Sequence, residues 1–164
     1  MTFFGRGDAA ADFSHLGMVV PDMAAAQAMY SAAFGFRWSE VNHATSAIKV
    51  AGRPMRASVQ SCYSVDGPPY LELIVDETGE VWSDQAYGLN HMGVWVEDIE
   101  AARERLTRSG LPTVVEDASS TPPFFSYHRG KHGLWVELVA VSYRPRILER
   151  IRRAQDALAA NGDL

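Results

Sequence analysis

The chain has 164 residues, 47% of them hydrophobic and 21% charged, a composition typical of one globular domain with its own core. Its formal net charge of −5 argues against nucleic-acid binding, because proteins that bind the phosphate backbone carry a basic surface. The single cysteine, Cys62, excludes an intramolecular disulfide. No apolar run reaches the roughly 20 residues that cross a membrane, and the first residues lack the pattern of a signal peptide. We therefore expect a cytoplasmic protein that partners neither nucleic acid nor membranes.

A near-repeat organises the chain. The stretch SHLGMVVPDMAAAQAMY (14–30) returns as NHMGVWVEDIEAARERL (90–106), and the alignment pairs His15 with His91. Each copy predicts an apolar strand (about 13–20 and 89–96), an aspartate that caps a helix of about three turns, and a glycine near the helix end. The repeat therefore predicts two similar half-folds.

Short apolar or alternating runs separated by turn residues follow each helix and are typical of strands. In the first half these predicted strands are 37–41, 47–50, 57–63 and 70–75. A polar linker is expected over 76–88, and the second half contains predicted strands at 113–116, 124–128 and 134–139. The last strands of the two halves, YLELIV and LWVELV, each place a glutamate between apolar residues.

The end of the chain predicts an amphipathic helix over 144–160. One face would carry Ile147, Leu148, Ile151, Ala154 and Leu158, with arginines opposite. Such a face packs either on its own domain, which is the commoner case, or on a second copy of the chain.

Four residues occupy matching places in the two halves: His15 and His91 in the first strands, Glu72 and Glu137 in the last. Taken singly, a strand histidine is usually hydrogen-bonded or at the surface, and a strand glutamate usually faces solvent. If the halves pack with approximate two-fold symmetry, however, the four side chains converge, and such a cluster needs a cation at its centre. Mixed nitrogen and oxygen ligands without thiolate suit a divalent metal ion: nickel, cobalt, manganese, iron or zinc.

A pocket beside such a site is expected to have a largely apolar, aromatic lining. The candidates for this lining are Trp38, Met55, Tyr63, Trp82, Trp95, Phe125, Tyr127 and Trp135, although many of them could simply be core residues. Glu40 is either solvent-facing or a pocket acid, and His128 is a loop or pocket residue. As substrate-binding residues we predict Glu40, Tyr63, Trp95, Phe125, Tyr127 and His128.

The phrase HLGMVVPDMAAAQAMYSAAFGF resembles the opening module of the vicinal oxygen chelate superfamily, which includes glyoxalases and bleomycin-resistance proteins. The second copy and the strands LELIV and WVELV resemble the second module and the two metal-bearing last strands. The resemblance implies an α+β fold in a single domain, 1–164, with two βαβββ modules, 13–75 and 89–141. These modules would form a metal-centred cleft between curved mixed sheets, followed by the C-terminal helix.

The resemblance also implies chemistry. The His-Glu-His-Glu set at residues 15, 72, 91 and 137 is similar to that of bacterial glyoxalase I, whereas methylmalonyl-CoA epimerase usually has glutamine in the place of Glu72. The opening HLGMVVPDMAAA, the segment EVN (40–42) and the segment FFSYHRGKHGLWVEL resemble the epimerase branch more. We predict a metal-dependent isomerase, epimerase or lyase that transfers a proton next to a carbonyl through a metal-stabilised enolate, with Glu137 or Glu72 as base.

The predicted substrate is a partly apolar small molecule or an acyl thioester. Three alternatives stay open: a glyoxalase I-like lactoylglutathione lyase, a small-molecule binding or resistance protein, and an iron-dependent ring-cleaving dioxygenase. We expect a homodimer, and the sequence leaves open whether the site forms within one chain or between two.

Overall fold

Two copies of a strand–helix–three-strand unit follow each other along the chain. The computed structural model describes residues 12–79, 81–82, 87–133 and 135–161. The first copy contains β1 (Asp12–Val19), α1 (Met23–Phe34), β2 (Asn42–Val50), β3 (Arg53–Tyr63) and β4 (Tyr70–Asp76). The second contains β5 (Gly88–Val96), α2 (Ile99–Arg108), β6 (Thr113–Asp117), β7 (Phe125–His128) and β8 (Trp135–Ala140). A 3-10 turn (Val141–Tyr143) and α3 (Arg144–Asn161) follow, so the predicted α+β fold with two βαβββ modules and a C-terminal helix is confirmed.

Helix α1 and helix α2 begin in the same way. The carboxylates of Asp22 and Asp98 accept hydrogen bonds from the amides of Ala25 and Ala101, at 2.9 and 3.0 Å. Gly35 ends α1 in the left-handed conformation with a φ of 73°, which a residue without a Cβ adopts at little cost. The predicted aspartate caps are therefore present in both halves, whereas the predicted glycine caps only α1, since the C-cap of α2 is Ser109 and Gly110 follows it.

The first hairpin differs from the sequence prediction. Residues 37–41 were expected to form a strand, but they contribute only an isolated bridge between Trp38 and Ser64. Instead β2 and β3 form one long hairpin around Ala51 and Gly52, whose φ angles of 48° and 79° fit a tight hairpin turn. That turn sets the register and draws the polar run 42–46 into the strand, although its composition gives no strand signal.

The eight strands form a closed barrel in the order β1-β4-β3-β2-β6-β7-β8-β5. The halves meet twice, since β1 pairs antiparallel with β5 and β2 pairs antiparallel with β6. Each first strand also lies parallel to the last strand of its own half, β1 with β4 and β5 with β8. The first and last strands of both halves therefore lie side by side along one wall of the barrel. Parts of two predicted segments, residues 80 and 83–86 of the linker and Leu134, lie outside the described residues.

Helix α3 packs on the barrel of its own chain. Ile147 and Ile151 are buried in a cluster with Val65, Trp95 and Val139, and Leu148, Ala154 and Leu158 pack against the same cluster. The apolar face predicted from the sequence is therefore the face that contacts the barrel. Among the described residues, no helix has the length and apolar character that a membrane crossing requires.

Candidate metal centre

The seam between β1 and β5 explains the motif His-x-Gly in both halves. The antiparallel register places His15 opposite Gly93 and Gly17 opposite His91. A Cβ added to Gly17 would lie 1.9 Å from Cε1 of His91, and one added to Gly93 would lie 2.1 Å from Cε1 of His15. Each imidazole thus lies against the glycine of the other half. Any larger residue at either glycine would displace the opposite histidine.

The structure brings together the four side chains that the repeat singled out. Nε2 of His15 lies 3.1 Å from Nε2 of His91, 3.2 Å from Oε2 of Glu72 and 3.0 Å from Oε2 of Glu137. Nε2 of His91 lies 3.5 and 3.6 Å from the same two carboxylate oxygens. All four ligand atoms lie within 4.8 Å of one another, and all four residues are buried.

This spacing fits a shared metal ion. Nitrogen and oxygen ligands bind divalent metals at about 2.1 Å, so two ligands at right angles around one ion are separated by about 3.0 Å. The shortest separations in the cluster match that value. Without a cation, two buried carboxylates this close would repel each other. The residues present therefore suit a divalent ion with mixed nitrogen and oxygen ligation.

The residue before each histidine orients its ring. Nδ1 of His15 lies 3.1 Å from Oγ of Ser14, and Nδ1 of His91 lies 3.0 Å from Oδ1 of Asn90. Donation from Nδ1 to these oxygens leaves Nε2 as the ligand atom and fixes the ring plane, a role common around protein metal sites. Ser14 and Asn90 occupy the same place in the repeat, so the alignment of the halves contained the signal for this pair.

A tyrosine faces each glutamate across a strand pair. Tyr63 on β3 is opposite Glu72, and Tyr127 on β7 is opposite Glu137. Their rings make edge-to-face contacts with His15 and His91, at centroid distances of 5.7 and 5.1 Å. Burial, the charges of the two glutamates and a hydrogen bond to the facing glutamate raise the pKa of both tyrosines well above the usual value. Both phenols therefore stay protonated and can donate to the carboxylates.

The electrostatics of the cluster favour a bound positive charge. Burial by itself lowers the pKa of His15, but the two carboxylates outweigh it and raise that pKa to about 10. Burial opposes ionisation of Glu72, yet the neighbouring His15 and His91 lower the pKa of its carboxyl group below its usual range. In the metal-free protein a proton on His15 supplies the charge, so a metal ion must compete with that proton.

A cavity inside the barrel ends at this cluster. Glu72 and Glu137 line it, whereas His15 and His91 are not among its lining residues. Its walls are mostly apolar and aromatic, including Ile48, Val59, Ile74, Trp82, Phe124 and Phe125. The carboxylates are therefore the cluster members that a molecule in the cavity would meet first.

Three of the predicted substrate-binding residues line the cavity and three do not. Tyr63, Phe125 and Tyr127 contribute to its wall. Glu40 does not line the cavity; it is exposed and borders a separate groove beside α3.

The other two residues predicted to contact substrate, Trp95 and His128, also lie outside the cavity wall. Trp95 packs in the core under α3. His128 is fully buried, with Nε2 3.0 Å from Oγ of Ser126 and Nδ1 3.1 Å from the carbonyl oxygen of Leu111. On β7, Phe125 and Tyr127 line the cavity, so strand alternation turns His128 away from it, whereas Trp95 lies on the same face of β5 as His91 and is covered by α3. Burial lowers the pKa of His128, which stays neutral. Trp38, Met55 and Trp135 do not line the cavity either.

The cavity also has polar lining residues that the sequence did not predict. Asn42, Ser46 and Ser61 lie on its wall, as do Arg146 and Arg150 from α3. The sequence did not indicate that these arginines line a cavity, because an amphipathic helix is expected to turn its arginines to solvent.

The chain belongs to the Glyoxalase/Bleomycin resistance protein/Dioxygenase superfamily, whose profile matches residues 14–123. The match contains His15, Glu72 and His91 and ends before Glu137. A search of curated proteins returns no match.

Solved structures resemble the fold. A methylmalonyl-CoA epimerase in complex with methylmalonyl-CoA and NH4+ is 17% identical, with a TM-score of 0.51 over 79% of this chain and 94% of that chain. The Mycobacterium tuberculosis methylmalonyl-CoA epimerase is 19% identical, with a TM-score of 0.51 over 79% and 87% of the two chains. A hypothetical protein from Bacillus halodurans is 13% identical, with a TM-score of 0.57 over 80% and 94%. At these identities the likeness establishes the fold alone.

Proposed function

We propose that this protein is a metal-dependent isomerase, epimerase or lyase that moves a proton next to a carbonyl group of a small molecule. The observation that carries the proposal is the cluster of His15, Glu72, His91 and Glu137 at the end of an otherwise largely apolar cavity. Four protein ligands leave room for two further ligands on an octahedral ion, which is the number that a chelating substrate needs.

The four residues would hold the divalent ion, and the ion would supply Lewis-acid stabilisation of the charge that develops on a substrate oxygen. The imidazoles lie behind the carboxylates and are fixed by Ser14 and Asn90, so they act as anchors. The glutamates line the cavity, which places them as the groups able to accept a proton from a substrate carbon.

The tyrosines support this role of the glutamates. The hydrogen bonds from Tyr63 to Glu72 and from Tyr127 to Glu137 would hold each carboxylate in place while it accepts a proton from the substrate. The apolar wall excludes water from the reacting carbon, and a partly apolar small molecule or an acyl thioester suits such a wall. The epimerase whose structure was solved with methylmalonyl-CoA has the same fold, and this likeness makes acyl thioesters a reasonable class to test.

Metal analysis of the purified protein tests the centre itself. We expect about one divalent ion per chain in the wild type and a large loss of it in His15→Ala and in His91→Ala. His43→Ala is the matched control, because His43 is an exposed histidine on β2 far from the cluster. A full metal content in both cluster variants would exclude these histidines as ligands.

Solvent deuterium exchange tests the reaction. The metal-loaded protein is incubated in deuterium oxide with acyl thioesters and 2-oxo compounds, and incorporation next to the carbonyl is followed by mass spectrometry. We expect incorporation that disappears in the metal-free protein. If no compound in either class exchanges with fully metal-loaded protein, the proposed proton transfer is wrong even though the metal site stands.

The alternatives make different demands on the same site. A lactoylglutathione lyase would need a glutathione hemithioacetal as substrate, and a carboxylate at both glutamate positions favours testing this compound. An iron dioxygenase would use two histidines and one carboxylate, so the fourth ligand speaks against it. A binding protein of the bleomycin-resistance type would usually lack these metal ligands, so bound metal in the purified protein would argue against it. Oxygen uptake with catechols and turnover of the hemithioacetal separate these cases.

The predicted homodimer is not needed to supply the proposed metal ligands. All four proposed ligands come from one chain, and the barrel closes within that chain. The site therefore needs no residue from a second copy. Analytical ultracentrifugation tests the dimer, and dissociation is expected to leave metal binding intact.

A further inference from the structure

The C-terminal helix contributes one wall of the cavity. Tyr143, Arg146, Ile147 and Arg150 all line it, at the spacing of one helix face. Ile147 is buried against the barrel, and Tyr143 stacks on Phe124 at a centroid distance of 4.4 Å. Two arginines therefore line the same cavity as Glu72 and Glu137, with Arg150 partly buried and Arg146 exposed.

Four of the five arginines of α3 fall into two groups, and the fifth, Arg144, has its Cζ atom 6.0 Å from the ring centroid of Trp95. Arg152 and Arg153 lie outside the cavity and form ion pairs with Glu149, and Arg152 pairs with Asp156 as well. Among the described residues, no carboxylate pairs with Arg146 or Arg150. The Cζ atom of Arg146 lies 5.4 Å from the ring centroid of Tyr143. Of these four arginines, the two that border the cavity are therefore the two without a carboxylate partner.

Arg150 is held in place by neutral partners. One of its nitrogens, Nη2, donates to the carbonyl oxygens of Ser61 and Glu40, at 3.0 and 3.4 Å. Its Cζ lies 5.4 Å from the ring centroid of Tyr63, and the same ring lies 5.7 Å from the ring centroid of His15. The ring of Tyr63 therefore contacts both this guanidinium and the proposed metal site.

The cavity has positive charge that no anionic group of its wall balances on the α3 side. Its charged lining residues are Glu72, Glu137, Arg146 and Arg150. The two carboxylates contact the imidazole of His15 within the cluster, whereas the arginines of the cavity lie on α3 away from any carboxylate of the described residues. The α3 side of the cavity is therefore positive with or without a bound ion. A low-dielectric, mostly apolar wall strengthens the attraction of that charge for an anion.

We propose that Arg146 and Arg150 form an anion subsite, so that the substrate carries a carboxylate or phosphate group in addition to the carbonyl that reaches the metal. This inference rests on the proposed function for the position of the carbonyl, whereas the anion subsite itself depends only on α3 and the cavity. Arginine suits both anions because its planar donors match their oxygens.

Binding of simple anions to the metal-free protein tests the subsite without the metal. Glutarate and inorganic phosphate are titrated calorimetrically into the wild type, Arg146→Gln, Arg146→Gln/Arg150→Gln and Arg152→Gln. At least one of the anions is expected to bind the wild type, and the double variant should weaken it by about tenfold, the loss typical of charge-assisted hydrogen bonds. The preferred anion then identifies the group as carboxylate or phosphate.

Matched controls separate charge from structure. Arg152→Gln removes the same charge from the same helix away from the cavity and should leave anion binding unchanged. Arg146→Lys and Arg150→Lys keep the charge and are expected to retain most of the affinity. Circular dichroism checks that α3 remains folded, since Arg150 also bonds to the backbone of Ser61.

A second experiment compares the binding of two 2-oxo acids to the metal-loaded protein. For 2-oxoglutarate and 2-oxopentanoate, which share a five-carbon chain and differ in the terminal carboxylate, we expect about tenfold tighter binding of 2-oxoglutarate, lost in the double variant. No anion binding to the wild type, or equal binding to the double variant, would overturn the subsite. Failure to load metal, with anion binding still dependent on the arginines, would count against the proposed function alone.

Discussion

The two halves of the barrel are nearly identical at the cluster of His15, Glu72, His91 and Glu137 and different at the cavity. Each half supplies a histidine, a glycine that accommodates the histidine of the other half, a glutamate and a tyrosine that faces the glutamate. In this region the second half repeats the first, element by element. A metal ion is coordinated from several directions, and each half of the repeat would supply two of the four proposed ligands.

The halves diverge away from the cluster. The first half has a long hairpin, with β2 and β3 of 9 and 11 residues, whereas β6 and β7 have 5 and 4. After β4 the chain turns around Asp76 and brings Trp82 to the cavity, whereas after β8 it enters α3 and brings two arginines. The unrepeated parts thus shape the cavity, and they are where we expect substrate selectivity to be determined.

Exchanging one glutamate in each half tests whether the symmetric cluster also works symmetrically. We expect Glu137→Gln to lower turnover on the order of 10²- to 10⁴-fold, the usual contribution of a general base, while much of the metal is kept. Glu72→Gln should then affect metal affinity more than turnover. Metal content and turnover are measured on the same preparations.

The opposite outcome is informative as well. If Glu72→Gln causes the larger loss of turnover, the base lies in the first half. Full turnover and full metal content in Glu137→Gln would exclude Glu137 as the base.

Adding a methyl group at the seam tests the dependence of each half on the other. Gly17→Ala should cost about 1–3 kcal/mol of unfolding free energy and reduce metal content, because its Cβ would overlap the ring of His91. The cost should shrink when His91→Ala is present, as a double-mutant cycle would reveal.

Gly130→Ala is the control for this substitution, since the nearest atom to its Cβ would be 3.4 Å away. Equal costs of Gly17→Ala with and without His91 would show that the clash is not the cause.

The pH dependence of metal binding sharpens the account of the cluster charge. Because carboxylates raise the pKa of His15 to about 10, the metal-free protein holds a proton there at neutral pH. Binding must release about one proton, so affinity should rise about tenfold per pH unit between pH 6 and 9. Calorimetry in buffers of different ionisation enthalpy counts the protons. A pH-independent affinity would contradict this assignment.

The same shift predicts a sign for stability. The folded metal-free protein binds more protons than the unfolded chain between the ordinary histidine pKa of 6.5 and about 10. The contribution of His15 to the stability of the folded state is therefore complete below pH 6.5 and is lost as the pH rises through about 10. Metal-loaded protein should lack this loss.

The smallest expected effect concerns the turn that ends the first half. The carboxylate of Asp76 accepts hydrogen bonds from the amides of Thr78, Gly79, Val81 and Trp82. Asp76→Ala should cost about 1 kcal/mol in urea unfolding, because these partly exposed amides can turn to water. Glu77→Ala, an exposed neighbour, serves as control. Equal stability of the two variants would show that the turn is held by other contacts.

Much of this molecule could be predicted because its signals are local or repeated. The caps at Asp22 and Asp98 depend on a few consecutive residues, and the repeat pointed to the four cluster residues without any knowledge of contacts. The prediction of a strand at 37–41 was wrong. The strand β2 starts only at Asn42, because its extent is set by the hairpin turn at Ala51 and Gly52 and not by apolar alternation.

Which side chains share a cavity depends on register and closure, which no local pattern encodes. Glu40, Trp95 and His128 resembled pocket residues in type but lie elsewhere, whereas Arg146 and Arg150 resembled a solvent face and border the cavity.

The sequence by itself determined the number of modules, the capped helices and the identity of the clustered residues, because these follow from short-range chemistry copied twice. The tertiary structure decided that each histidine lies on the glycine of the other half and that α3 forms a wall of the cavity. Those contacts join residues far apart in the chain, and only the pairing of β1 with β5 and the docking of α3 bring them together.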